Sequence, residues 1–238
     1  MPTLRGMIAN TSLPLLQVRG VAKHFQHAPV LRGVDLDLAA GECFALFGAN
    51  GAGKSTLLRV LATLQRPNAG LFSICGHDGV AQRDLARQHV FAVAHGSHHY
   101  DELSALENLQ FALGLRGIKL QPGQLQDALS KVGLQAFAGA RVRVFSSGMK
   151  KRLALAKAML LNPSLLLLDE PYAALDEIGV ALVNDFVSER LAAGAAILMV
   201  SHDRQLSAQV ANRVGVLRRG KIDECSVEEL LEAEDWLQ

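Results

Sequence analysis

Apolar residues recur along this chain with two different spacings, and the alternation between them marks out an α/β protein. Residues 15–21 and 30–38 read as strands, the second alternating through Val34, Leu36 and Leu38. Residues 43–47 form a wholly apolar run that reads as a buried strand, and residues 54–64 carry helical periodicity. After a turn at 67–70, residues 71–75 and 90–94 are further strand candidates. Ser104 with Glu107 is a capping-box pair opening a helix to about Leu113. A second helix is expected over 124–131, after the Pro122-Gly123 break. The stretch from about 76 to 163 is mostly helical in pattern, so it reads as a helical subdomain inserted between two parts of a parallel sheet.

Downstream, residues 149–161 are strongly periodic and stop at Asn162-Pro163. Four leucines at 165–168 form an apolar strand that exits into Asp169-Glu170-Pro171. A helix is expected over 176–193 with Gly194 as its stop, then a buried strand over 195–200 that exits into Ser201-His202-Asp203. The tail reads as helix (205–211), strand (213–217), a basic turn at 218–220 and a last helix capped by Ser226 with Glu229. Strands alternating with helices imply a parallel sheet covered on both faces, with ligands at the carboxyl ends of its strands. Residues 1–14 read as a loose leader and 15–238 as one domain.

One stretch carries chemistry by itself. Gly48-Ala49-Asn50-Gly51-Ala52-Gly53-Lys54-Ser55, followed by Thr56, reads G-x-x-x-x-G-K-S between a strand and a helix. Its glycines let successive N–H groups turn towards phosphate oxygens, and the helix N-terminus adds positive potential there. Lys54 is expected to reach the β- and γ-phosphates of a nucleoside triphosphate, and Ser55 to ligand Mg²⁺. Asp169, at the lip of a buried strand, suits the same metal, and Glu170 is a candidate base for the attacking water. His202 is a candidate donor to the γ-phosphate or a group that orients the base. Phe25 suits either adenine stacking or ordinary core packing.

Composition narrows the context. The chain has 24 basic and 23 acidic residues, so no basic excess points to a nucleic-acid partner. Cys43, Cys75 and Cys225 are far apart and odd in number, which fits neither a disulfide framework nor a metal-ligand spacing and suits a reducing cytoplasm. No apolar run approaches the roughly 18 residues of a membrane span. Any membrane link is expected to run through another protein.

Taken together, these residues resemble the nucleotide-binding subunits of ATP-binding-cassette (ABC) transporters over about residues 15–224. The resemblance implies a P-loop core with a mainly parallel sheet and an N-terminal antiparallel β part. Phe25 is similar to the family's adenine-stacking aromatic, Glu170 to its catalytic glutamate, His202 to its switch histidine, and residues 173–176, ending at Asp176, to its aspartate loop. Phe145-Ser146-Ser147-Gly148-Met149 resembles the family signature L-S-G-G-Q. In that family two subunits pack head to tail, the signature of one closing on the γ-phosphate held by the other. The implied partners are a second copy of the chain and an integral-membrane permease, with the ATPase at the cytoplasmic face of the membrane. A soluble non-transport ATPase and an ATP-binding regulator are the alternatives.

The chain departs from the family pattern at one place. The usual glutamine after the 90–94 strand is replaced by Gly96, flanked by His95 and Ser97, while Gln88 lies before the strand. His95 or His98 takes that role, or coupling is altered; a metal or haem site built from His95, His98 and His99 is a further alternative. Three features are similar to the ATPase subunit of the haem exporter of cytochrome c maturation. They are Phe-Ser-x-Gly-Met in the signature, Glu170-Pro171-Tyr172 before Ala-Leu-Asp, and Asp101-Glu102-Leu103-Ser104-Ala105-Leu106-Glu107-Asn108-Leu109. Relatives that export lipids, drugs or polysaccharides share parts of each.

Overall fold

The structure, a computed structural model, describes residues 14–26, 28–94, 99–119, 121 and 123–232. The expected leader (1–14) falls outside them except for Pro14. The chain opens with a hairpin, β1 (Leu16–Phe25) and β2 (Ala28–Leu38), then β3 (Cys43–Phe47) and α1 (Lys54–Leu61). Next come β4 (Ala69–Ile74), β5 (His77–Asp78), α2 (Arg83–His89) and β6 (Val90–Val93). Helices α3 (Ala105–Gly114), α4 (Gln124–Lys131) and α5 (Ser147–Leu161) follow. The last part alternates β7 (Leu165–Asp169), α6 (Glu177–Ala192), β8 (Ala196–Val200), α7 (Arg204–Ala208), β9 (Arg213–Arg218), β10 (Lys221–Cys225) and α8 (Val227–Glu232).

These strands form two sheets. An antiparallel sheet runs β2-β1-β4-β5, and a second runs β10-β9-β3-β8-β7-β6. In the second sheet every neighbouring pair is parallel except β9 with β10. β6 lies within the 76–163 stretch and joins the edge of this sheet beside β7. Phe25, expected on a link between strands, is instead the last residue of β1, paired with Ala28. It is 45% exposed, so core packing is not its role.

The period-2 geometry of a strand explains how the apolar runs are used. Leu165 and Leu167 of β7 face a core shared with α1 and the antiparallel sheet. Leu166 and Leu168 face the opposite core, with α3, α5 and α6. β8 divides its residues in the same way, Leu198 to the first core and Ile197 and Met199 to the second. Burial of one leucine side chain contributes about 1.5–3 kcal/mol, so a strand apolar at every position anchors both layers.

The segment entering α3 is held by polar bonds. Ser104 Oγ accepts from the Glu107 N–H at 3.2 Å, and the Ser104 N–H donates to Glu107 Oε2 at 2.7 Å, completing the capping box. Asn108 is 1% exposed. Its amide donates to the carbonyls of Tyr100, Leu103 and Ser104, and its Oδ1 accepts from the Tyr100 N–H. Asn108→Ala would strand these buried groups. It is expected to lower unfolding free energy by about 2 kcal/mol in urea denaturation; a change within experimental error would show that the turn holds without the amide.

Candidate functional site

Hydrogen-bond register brings the functional residues to one level. Leu46 of β3 and Asp169 of β7 are both register partners of Val200, on the strand between them. The chain therefore leaves these strands side by side, into Gly48, into Glu170 and into Ser201-His202. That is the carboxyl edge expected from the strand–helix alternation.

The Gly48–Ser55 loop starts this edge. Gly48 and Gly53 have φ values of 148° and 108°. A Cβ at Gly48 would lie 2.7 Å from the Leu217 carbonyl oxygen, and one at Gly53 would lie 2.8 Å from Val30 Cγ1. Both positions thus demand glycine twice over, by conformation and by space. Lys54 is buried, and its ammonium donates to the carbonyls of Gly48 (2.6 Å) and Ala49 (3.0 Å). Burial pulls Lys54 below the usual lysine pKa, while the carboxylates of Glu170 and Asp169 pull it back up.

Opposite the loop, Ser55 Oγ donates to Asp169 Oδ2 at 3.2 Å. A hydroxyl and a carboxylate side by side are hard oxygen donors, which fits Mg²⁺. Glu170 takes a left-handed backbone, φ 50°, rare for a residue with a Cβ. Its N–H still donates to the Val200 carbonyl at 2.8 Å. Glu170 Oε2 accepts from the His202 N–H at 3.2 Å. His202 Nε2 lies 3.3 Å from Oε1, but the approach is not aligned as a hydrogen bond. Oε1 is therefore a buried acceptor with no donor among the described residues.

The signature residues sit elsewhere. Ser146 caps α5, its Oγ accepting from the Met149 N–H at 3.2 Å, and Ser146 and Ser147 are exposed. Among the described residues no hydrogen bond joins Ser146, Ser147, Gly148 or Met149 to the 48–55 loop. Instead a Cβ at Gly148 would lie 3.1 Å from the Ala174 carbonyl. Asp176 caps α6 through the Gly179 N–H at 2.9 Å and pairs with Arg152 at 2.7 Å. The Gly179 bond, more than Arg152, holds its carboxyl below the usual range. Lys151 reaches the same segment, donating to the carbonyls of Glu170 and Ala173 at 2.6 Å each. The sequence reading singled out neither Lys151 nor Arg152. Phe25 lies at the hairpin end, with Lys23 Nζ 5.4 Å from its ring centroid.

His95, Gly96, Ser97 and His98 lie outside the described residues. His99 is within them, and both its ring nitrogens are engaged. Nε2 is 2.8 Å from the Lys150 carbonyl and Nδ1 is 2.8 Å from Lys157 Nζ. Burial first, then the Lys157 charge, pushes His99 down to about 4, and burial pushes Lys157 down to about 8. A neutral imidazole donating from Nε2 and accepting at Nδ1 satisfies both contacts. Among the described residues no cluster of three or more His, Cys, Asp or Glu could hold a metal ion.

Comparison with known proteins agrees with this geometry. The family profile for ABC transporters matches residues 31–173, more than half of the chain. A cytochrome c biogenesis ATP-binding export protein of Xanthomonas campestris pv. campestris is 41% identical over 207 residues, covering 86% of this chain and 94% of that protein. A solved ATP-binding subunit of an ABC transporter superposes with a TM-score of 0.83 at 26% identity, covering 91% of each chain. A dimeric ATP-binding cassette bound to ADP and Pi has the same fold, with a TM-score of 0.81 at 24% identity over 89% of this chain and 98% of that one. The chain belongs to the ABC transporter family, as an ATP-binding, ATP-hydrolysing subunit.

Proposed function

We propose that this chain works as a head-to-tail pair of identical subunits at the cytoplasmic face of a membrane, where ATP hydrolysis drives a separate integral-membrane permease. The observation that carries the pairing is the capped N-terminus of α5. It is exposed and, among the described residues, makes no hydrogen bond to the loop of its own chain, yet it is a ready anion site. A second copy related by a two-fold axis would supply the phosphate that it faces. Among the described residues no helix is long and apolar enough to cross a membrane.

Within one subunit, the backbone of residues 48–54 cradles the phosphates, and Lys54 exchanges its loop carbonyls for phosphate oxygens. Thr56 continues the helix end that faces them, and Phe25 stacks on the adenine. Ser55 and Asp169 would hold Mg²⁺, which would supply charge neutralisation on the phosphates. Glu170 Oε1 accepts the proton of the attacking water, and His202, bonded to Oε2 through its main chain, keeps the carboxylate oriented. This division of labour suits phosphoryl transfer, which depends on positioning and charge more than on covalent chemistry.

The transported molecule is haem, delivered for cytochrome c maturation. Support comes from the export relative that matches at 41% identity across nearly its whole length, together with the signature and Glu-Pro-Tyr features.

Lys54→Ala is expected to lower ATP turnover by about 100-fold or more; near-normal turnover would sink the site. Glu170→Gln is expected to bind ATP without releasing it, giving a doubled mass by light scattering, and a persistent monomer would count against the pair. Tagged protein purified from detergent-solubilised membranes should carry a stoichiometric multi-span partner with cytochrome-maturation proteins. Recovery from the cytosol alone, or with ribosomes, would overturn the transport reading, and a permease accompanied by other machinery would overturn haem.

A further inference from the structure

We propose that Lys151 is a positioning residue for hydrolysis: its ammonium clasps the carbonyls of Glu170 and Ala173, and so ties the aim of the Glu170 carboxylate to helix α5. The proposal rests on the reading of Glu170 as the base.

The turn that Lys151 holds is an unfavourable one. Glu170 has φ 50° and Ala174 has φ 60°, both in the left-handed region that residues with a Cβ avoid. Between them, the Ala173 N–H donates to the Glu170 carbonyl at 3.2 Å, closing a tight loop. The carbonyls of Glu170 and Ala173 then converge on one cation, each 2.6 Å from Lys151 Nζ. Charge-assisted bonds to main-chain oxygen are short and directional, so the clasp opposes the return of Glu170 to ordinary backbone geometry. A rotated Glu170 backbone would swing its carboxylate away from the His202 N–H.

The clasp also has a direction of transmission. Lys151 is half-buried, so its stem is confined between α5 and the turn. Burial holds its pKa below the usual lysine value, and the carboxylates of Glu170 and Asp169 offset part of that shift. Arg152, the next residue, grips Asp176 at 2.7 Å, and a Cβ at Gly148 would lie 3.1 Å from the Ala174 carbonyl. Two adjacent residues of α5 therefore hold the 170–176 segment by three bonds. The same helix begins at the Ser146 cap, which in the proposed pair faces the partner's nucleotide. Lys151 thus links the phosphate bound in trans to the base acting in cis.

The test compares steady-state ATPase activity and fluorescent-ATP binding for the full-length chain and its variants. Lys151→Met is expected to lower kcat by roughly 10–100-fold, as for a base displaced by a fraction of an ångström, with KM and nucleotide affinity unchanged. Lys151→Arg, which keeps donors for both carbonyls, should recover most of the loss. In a Glu170→Gln background, Lys151→Met should cost nothing further in single-turnover assays, because both changes remove one function. Full kcat in Lys151→Met beside an inactive Glu170→Gln would overturn the clasp alone. So would an equal further loss in the Glu170→Gln background, or a raised KM at constant kcat. An active Glu170→Gln would instead overturn the base reading beneath it. If Lys151→Met fails to bind nucleotide, Lys151→Gln is measured against the same outcomes.

Discussion

The site depends on one constraint: β7 is buried on both faces up to its last residue, so Asp169 is the first position on that strand where a charge can stand. Leu165 through Leu168 are fully buried, and Asp169 is only partly so. The same holds on either side. Val200 is buried before His202 is exposed, and Phe47 is buried before Gly48 turns. Because Leu46, Val200 and Asp169 share register across three strands, those exits are level. A parallel sheet with both faces covered concentrates its polar chemistry at one edge, since nowhere else along the strands can a charge stay solvated.

At that edge, charge and backbone conformation support each other. Lys54 is buried, which disfavours its charge, and the nearby carboxylates of Glu170 and Asp169 offset part of that effect. Glu170 accepts an unfavourable φ, and the main-chain bonds of its N–H, its carbonyl and its carboxylate hold it there. Strain of this kind is stable only when the surroundings over-determine it. Here Val200, Lys151 and His202 each fix a different group of the same residue.

Much of this was legible in the sequence, because the residues involved obey strong local rules. The P-loop glycines, the four leucines before Asp169 and the periodic stretch that stops at Asn162-Pro163 each combine a pattern with a stop signal. β10 was missed, since Lys221–Cys225 is a mostly exposed edge strand with no apolar face to announce it. α2 was missed for a similar reason, being seven residues with only Ala86 buried. Phe25 was placed one element too late, because the strand β1 continues through polar residues. Lys151 was invisible for a deeper reason. A lysine on a charged helix face reads as solvated, and its partners are carbonyls, which every residue possesses.

The Asp101–Leu109 motif shows how a resemblance and a physical role can part company. As a string it is similar to haem-exporter ATPases, which ties it to cargo. In the fold, Ser104 and Glu107 cap α3, and Asn108 closes the Tyr100–Ser104 turn with four hydrogen bonds. Those bonds satisfy backbone groups of the turn that enters the helix. The buried amide would be needed wherever this turn enters this helix, whatever the permease carries. Ser104, Glu107 and Asn108 therefore serve the helical layer, and the haem reading draws its weight from identity spread along the chain.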